Sequence, residues 1–320
     1  PNTSEFVEKI CLMEGAEDGY AFATGMAAVY STFAALLNTG DHIVSAGSVF
    51  GSTHTLFAKY FPKWNIQTSY FDINKPETIE SYITENTKII YAESPTNPAV
   101  DILDLEYLGQ IAKKHNLILI IDNCFATPYI QNPIQFGAHL VIHSATKLMD
   151  GQGRVLGGVV VGKSELVREI YLFSRNTGPA LAPFNAWILS KSLETLAVRV
   201  DKHCDNALKI AEALEQNKDI QIIGVQPTDG SQIPGIRKWP QEYLPKIFDA
   251  SKVDVVMEVS EQEAREMTQR LAKEEGIFAG MSSGGSVTTA VKIANEIESG
   301  VVVCIICDRG DRYLSSDLFD

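Results

Sequence analysis

Short apolar runs alternate with helical patterns along most of this chain, and that alternation leaves few folds open. His42 to Ser45, Lys88 to Ala92, Leu117 to Ile121, His139 to His143 and Gly158 to Val161 read as strands. Between them, Ala27 to Leu37, Leu105 to His115 and Ser164 to Ser174 carry apolar residues at helical spacing. Strand, helix and strand in succession build a largely parallel sheet with helices on both faces, so the predicted fold class is α/β. Such sheets bind ligands beyond the carboxyl ends of their strands. The strand order is not readable from the pattern.

Three chemistry-bearing points fall at those ends. Asp122 closes the wholly apolar run from Leu117, Glu93 follows Lys88 to Ala92, and Lys147 closes His143-Ser144-Ala145-Thr146-Lys147. A lysine with two flanking hydroxyls and an upstream carboxylate is the equipment for holding pyridoxal 5'-phosphate. Its aldehyde is tied to a lysine as a Schiff base, and its ring nitrogen is kept protonated by a carboxylate. Ser144 and Thr146 offer hydroxyls to the phosphate. Thr24-Gly25-Met26-Ala27-Ala28 reads as a helix start whose amides face an anion, with Gly25 permitting close approach. Taken singly, Lys147 is a solvated loop lysine and Asp122 a strand-end cap; the joint arrangement favours the cofactor.

Residues 1 to about 218 resemble the large domain of the Cys/Met-metabolism family of pyridoxal-phosphate enzymes. The resemblance is carried by Ala23 to Ala28, Ser48 to Thr53, Glu93-Ser94-Pro95-Thr96-Asn97-Pro98, Asp122-Asn123, His143 to Lys147 and Leu193-Glu194-Thr195-Leu196. Within the family, Gly151 to Gly158 and Pro183 to Trp187 are most similar to the O-succinylhomoserine or O-acetylhomoserine sulfhydrylase branch, although many relatives have histidine at the position of Gln152. The resemblance implies that Lys147 is the Schiff-base lysine, Asp122 the ring-nitrogen partner, and Gly25, Met26, Ser144 and Thr146 the phosphate ligands. Phe50 stands where many relatives place a tyrosine, so a stacking face is kept and the phenol is lost. Glu93 and Asn97 fall in a loop around the cofactor; a turn built on Ser-Pro-Thr-Asn-Pro accounts equally for Glu93 and less readily for Asn97. The implied reaction is replacement of the acyloxy group of an O-acylhomoserine by sulfide, and the implied assembly is a homo-oligomer.

From about Gln221 to Asp320 the chain is similar to the C-terminal third of cysteine synthase B, an O-acetylserine sulfhydrylase with the same cofactor. The matching segments are Gly224 to Pro227, Gly230 to Pro240, Gly276 to Gly285 and Cys307 to Ser315. That resemblance makes Ser282 a cofactor contact at the ring nitrogen. The other parts of such a site, a lysine, a glycine-rich phosphate loop and a carboxylate-binding loop, are missing from the segment. The first half in turn starts beyond its family's Tyr-x-Arg phosphate arm and lacks the arginine that clamps the substrate carboxylate. The expected organisation is a large domain over 1–218 joined to a cysteine-synthase-like segment over 219–320. Cysteine synthesis and a catalytically impaired composite are the two rival readings. Within the segment, Ser260-Glu261-Gln262-Glu263 is a capping box opening a helix to about Glu275, Ser282 to Gly285 precede another to about Glu298, and Val301 to Ile306 reads as a strand.

With 27 Lys and Arg against 40 Asp and Glu, the net charge of -13 repels nucleic acid and acidic membrane surfaces. No apolar run approaches the roughly 20 residues of a membrane helix, and no signal pattern opens the chain, so the expected location is the cytoplasm. Five scattered cysteines form no disulfide framework. Cys304 and Cys307 are expected in a buried strand rather than at a metal or redox site. His139 and His143, four residues apart on a strand, are roughly 13 Å apart and cannot share an ion. No metal is expected, and His143 is the one histidine near the lysine run.

Overall fold

A computed structural model describes residues 1–97, 100–217, 219–238, 249–314 and 316–319. Lys218, where the sequence reading sets the domain boundary, lies outside them, as do Pro98, Trp239, Pro240 and Ser315 of the quoted motifs. The chain divides into two compact units, one built on Pro1–Ala211 and one beginning at Glu212.

The first unit contains α1 (Asn2–Glu14), β1 (Asp18–Phe22), α2 (Gly25–Leu36), β2 (His42–Ala46), the short α3 (Gly51–Thr55), β3 (Gln67–Phe71), β4 (Thr87–Glu93), α4 (Leu105–Lys114), β5 (Ile118–Asp122), the single turn α5 (Thr127–Ile130), β6 (Leu140–His143), β7 (Gly158–Gly162), α6 (Ser164–Thr177), α7 (Pro183–Leu193) and α8 (Leu196–Gln216), whose last residues belong to the second unit. Its seven strands run β1-β7-β6-β5-β4-β2-β3. β2 to β6 pair in parallel, and β7 is antiparallel to both its neighbours. β2 and β7 are buried along their whole length, as a sheet covered on both faces requires. α2 and α6 pack on each other and on β1 and β7, while α1, backed by α7, also meets β1 and β7.

Every strand expected in this unit is present to within a residue or two. β1 and β3 escaped the sequence reading because their exposed and half-buried residues lack an apolar run. Phe33, Phe57 and Tyr91 pack edge to face in the core, with Phe61 stacked on Phe57.

The second unit is slighter. β8 (Ile223–Pro227) and β9 (Val255–Val259) form a two-stranded parallel sheet, followed by α9 (Glu261–Glu274) and α10 (Met281–Glu296). Ile233, Val259, Ala264, Met281 and Leu318 are its buried apolar cluster. The capping box is formed as expected: the Glu263 amide donates to Ser260 Oγ, and the Ser260 amide donates to the Glu263 carboxylate at 2.8 Å.

Three expectations fail here. Val301 to Ile306 forms no strand, and Val301 is 90% and Ile305 70% exposed, because no strand of the two-stranded sheet pairs with the run. Cys304 is half-buried and Cys307 exposed, so the buried-core reading of the pair fails with it. Ser282 to Gly285 lie inside α10 rather than ahead of it, and the helix is capped by Gly280, not by a serine. Gly284 sits where α10 crosses α9 so closely that a Cβ there would meet Thr268 Oγ1 at 2.1 Å and the Ala264 carbonyl oxygen at 2.2 Å.

Candidate functional site

The carboxyl ends of β4, β5 and β6 open on one side of the sheet, and the expected groups meet there. Glu93 and Asp122 are register partners on β4 and β5, and Lys147 lies in the turn that follows β6. A cleft there is lined by Gly25, Met26, Phe50, Glu93, Asn97, Asp122, Ser144 and Lys147, together with Val29, Thr53, Cys124 and Phe125.

The start of α2 forms one wall. Thr24 Oγ1 accepts from the Ala27 amide at 3.0 Å and the Thr24 carbonyl from the Ala28 amide at 3.1 Å, leaving the Gly25 and Met26 amides of the first turn for a ligand. Gly25 is required: a Cβ there would lie 2.6 Å from Ser144 Cβ, filling the space between helix and lysine turn. Gly158 has the matching role on β7, where a Cβ would stand 2.2 Å from the Thr24 carbonyl oxygen.

Asp122 is almost fully buried; its Oδ1 accepts from the Cys124 amide at 3.1 Å and its Oδ2 from the Tyr91 hydroxyl at 3.2 Å. Burial pushes its carboxyl up, and a charge on His143, the Cys124 amide, the Tyr91 hydroxyl and Lys147 pull it down. Burial and the charge of Asp122 push Glu93 up to about 9, so that at neutral pH it is a carboxylic acid. Its Oε2 accepts from the Phe50 amide at 2.6 Å, which fixes the aromatic ring at the cleft mouth. Burial and the nearby Asp122 charge push the Cys124 thiol up, away from a nucleophilic thiolate.

Two expected ligands have hydrogen-bond partners within the protein. Thr146 is not among the lining residues: its hydroxyl donates to the Gly157 carbonyl and accepts from the Gly157 amide, both at 3.2 Å. Ser282 belongs to the second unit, where its hydroxyl and that of Ser283 donate to Asp308 Oδ1 at 3.3 Å. The Gly280 amide and the Tyr313 hydroxyl donate to the same carboxylate. The start of α10 is thus already filled by an internal carboxylate, and the expectation of a cofactor contact there is withdrawn.

Arg199 on α8 escaped the sequence reading. It donates to the carbonyls of Leu148 at 2.7 Å, Met149 at 3.2 Å and Ser192 at 2.9 Å, clamping the turn behind Lys147. Buried Asp150 holds the other side, accepting from the Arg154 amide at 2.7 Å and from Arg154 Nε at 3.1 Å. An arginine 52 positions from the lysine, on a polar helix, carries no local signal.

The donor set fits pyridoxal phosphate: an amine, a buried carboxylate, a hydroxyl and two helix-start amides around one cleft. Comparison with known proteins agrees. The chain is 44% identical over 223 residues to O-succinylhomoserine sulfhydrylase of Pseudomonas aeruginosa, covering 70% of this chain and 55% of that protein. It is 41% identical over 212 residues to cystathionine gamma-lyase of Bacillus subtilis, covering 66% and 56%. A crystal structure of metB from Corynebacterium glutamicum superposes with a TM-score of 0.66 at 39% identity, over 69% of this chain and 58% of that one. The chain thus spans little more than half the length of the relatives it matches. The similarity of residues 221–320 to cysteine synthase finds no support in these relatives. The model for Cys/Met metabolism PLP-dependent enzymes matches residues 1–296, and with the cleft at its strand ends this chain belongs to that family, whose cofactor is pyridoxal 5'-phosphate.

Proposed function

We propose that the first unit holds pyridoxal phosphate and catalyses γ-replacement on an O-acylhomoserine, with sulfide as nucleophile and homocysteine as product. The convergence of Lys147, Asp122 and the two helix-start amides on one cleft carries this reading. When bound, the cofactor supplies an electron sink for charge developing on the substrate carbons. Lys147 Nζ would hold the aldehyde and, when free of it, would carry protons between substrate carbons. The Asp122 carboxylate would hold the proton of the ring nitrogen. Gly25, Met26 and Ser144 would hold the phosphate, and Phe50 would offer the ring a face that has no acid or base function.

Similarity to the Pseudomonas sulfhydrylase supports replacement, and similarity to the Bacillus lyase supports the rival reading, in which the substrate is eliminated without a nucleophile. The cysteine-synthase reading loses its one local support at Ser282. Cytoplasmic location and assembly into a homo-oligomer belong to the same proposal; among the described residues, no helix is long and apolar enough to cross a membrane. The test incubates cofactor-loaded protein with O-succinylhomoserine or O-acetylhomoserine, with and without sulfide. Sulfide-dependent homocysteine supports the proposal, sulfide-independent keto acid and ammonia favour the lyase, and cofactor retention without either product identifies an impaired chain.

A further inference from the structure

The ladder between β4 and β5 ends at Glu93 and Asp122, the two carboxyl groups of the cleft. Past that pair the two strands are joined through side chains. The Ser94 amide donates to the Asp122 carbonyl at 3.3 Å. Gln131, the residue after the single turn α5, donates from Nε2 to the Ser94 carbonyl at 2.7 Å and to Asn123 Oδ1 at 2.9 Å. Asn123 Nδ2 in turn donates to the Gln131 carbonyl at 2.7 Å and to Glu14 Oε1 at 2.9 Å. A carbonyl only accepts, so the Ser94 carbonyl fixes which end of the Gln131 amide faces it, and Gln131 fixes the amide of Asn123 in the same way.

Gln131, Ser94, Asp122 and Asn123 therefore close a ring of hydrogen bonds in which Asp122 is held from both sides. Side-chain amides do not titrate, so the ring depends on no charge state of its members. Ser94 and Asn123 are fully buried, and removing the Gln131 amide leaves two enclosed acceptors without their donor. Neither Gln131 nor Asn123 lines the cleft, so both can act on its chemistry only through the residues that do.

We propose that Gln131 and Asn123 are positioning residues, whose paired amides clamp the ends of β4 and β5 and so set the Asp122 carboxylate toward the cleft. For cofactor affinity the inference rests on the proposed role of Asp122; the placement of the carboxylate is a property of the cofactor-free chain. The test uses the full chain labelled with ¹³C in its aspartate carboxyls and the variant Gln131→Met, which keeps the length of the side chain and removes its amide. Signals of Asp122 and of buried Asp150, behind Lys147, are assigned by their loss in Asp122→Asn and Asp150→Asn. Without cofactor, Gln131→Met should shift the Asp122 signal and leave that of Asp150 in place. Gln131→Met should also raise the Kd for pyridoxal phosphate about tenfold, but less than about threefold when Asp122 is already Asn, because a residue that acts through Asp122 then has nothing left to place. An Asp122 signal that stays put, or that moves together with Asp150, overturns the proposal, as does an equal rise in Kd in the two backgrounds. Gln131→Ala, read by the same measurements, replaces Gln131→Met if that protein does not fold. Asn123 side-chain hydrogens that exchange as freely as those of an exposed asparagine in the unsubstituted chain overturn the proposal without any variant. If Asp122→Asn binds pyridoxal phosphate as tightly as the unsubstituted chain, the ring-nitrogen role fails, and the Asp122 signal in Gln131→Met still decides the positioning inference.

Discussion

The two units differ in how completely their sheets are covered. In the first, β5 sits between β4 and β6 with Leu119, Ile120 and Ile121 fully buried on both faces, and Asp122 is delivered to the cleft at the end of that run. In the second, two strands support one small cluster, and Val255, Val256, Val301 and Ile305 remain in water. A two-stranded sheet is marginal without packing. Placing a charged constellation takes a saturated sheet, and among the described residues only the first unit has one.

The largest expected contrast between the units is chemical. Lys147→Ala should abolish the lysine-cofactor adduct trapped by borohydride, whereas Ser282→Ala should leave it unchanged, because the Ser282 hydroxyl is engaged by Asp308. Mass spectrometry of the reduced proteins reads both. An adduct surviving in Lys147→Ala removes the site from the first unit's cleft.

Packing gives the next largest. Leu119→Ala, in the middle of β5, should cost about 2–5 kcal/mol by leaving a cavity that the sheet cannot close. Val303→Ser, at an 83% exposed position of the second unit, should stay within about 0.5 kcal/mol. Urea unfolding followed by tryptophan fluorescence and by far-ultraviolet circular dichroism compares them. A cost above about 2 kcal/mol for Val303→Ser would mean that the run is covered after all.

These two positions also mark what the sequence could and could not reveal. Strand existence, the helix start at Gly25 and the placement of Asp122, Glu93 and Lys147 at strand ends were legible because each depends on a few adjacent residues. Val301 to Ile306 has the composition of a strand, but a strand exists only with a partner, and composition does not specify one. The pair Gly284-Gly285 signals a loop locally, yet Gly284 lets α10 pack closely on α9 and Gly285 faces Ile236 and Val259. Arg199 reaches the turn behind Lys147 from a helix far along the chain, and no local pattern reports such a long-range contact. The Thr146 hydroxyl, expected at the phosphate, also braces the turn through its bonds to Gly157, a contact that no local pattern signals.

Glu93 sharpens the comparison within the first unit. Its folded value of about 9 lies above the ordinary value of 4.5, so between those values the folded chain holds a proton that the unfolded chain releases. Stability from this group is greatest below the ordinary carboxylate range and falls as pH rises toward 9, with a slope of at most about 1.4 kcal/mol per pH unit. Glu93→Gln keeps an acceptor for the Phe50 amide and has no proton to lose, so its stability should decline less between pH 6 and pH 8.5. Urea midpoints at the two pH values measure this, and parallel declines would mean that Glu93 is ionised in the folded state.

The smallest effect belongs to the second unit and isolates its local order. Ser260 caps α9 through the Glu263 amide, and the Glu263 carboxylate returns to the Ser260 amide and also pairs with Lys292 at 2.7 Å. The Ser260 and Lys292 partners depress Glu263 to about 2, so the box is intact throughout the neutral range. Ser260→Ala removes one half of this exchange and should cost about 1 kcal/mol. In a unit with so small a core, that loss should speed amide hydrogen exchange along Glu261–Glu274 about fivefold at 25 °C. Amides of β5 should be unaffected if the units open independently. Equal acceleration in β5 would mean that the two units unfold as one, and the contrast between a saturated and an unsaturated sheet would then have no energetic boundary at the point where the chain divides.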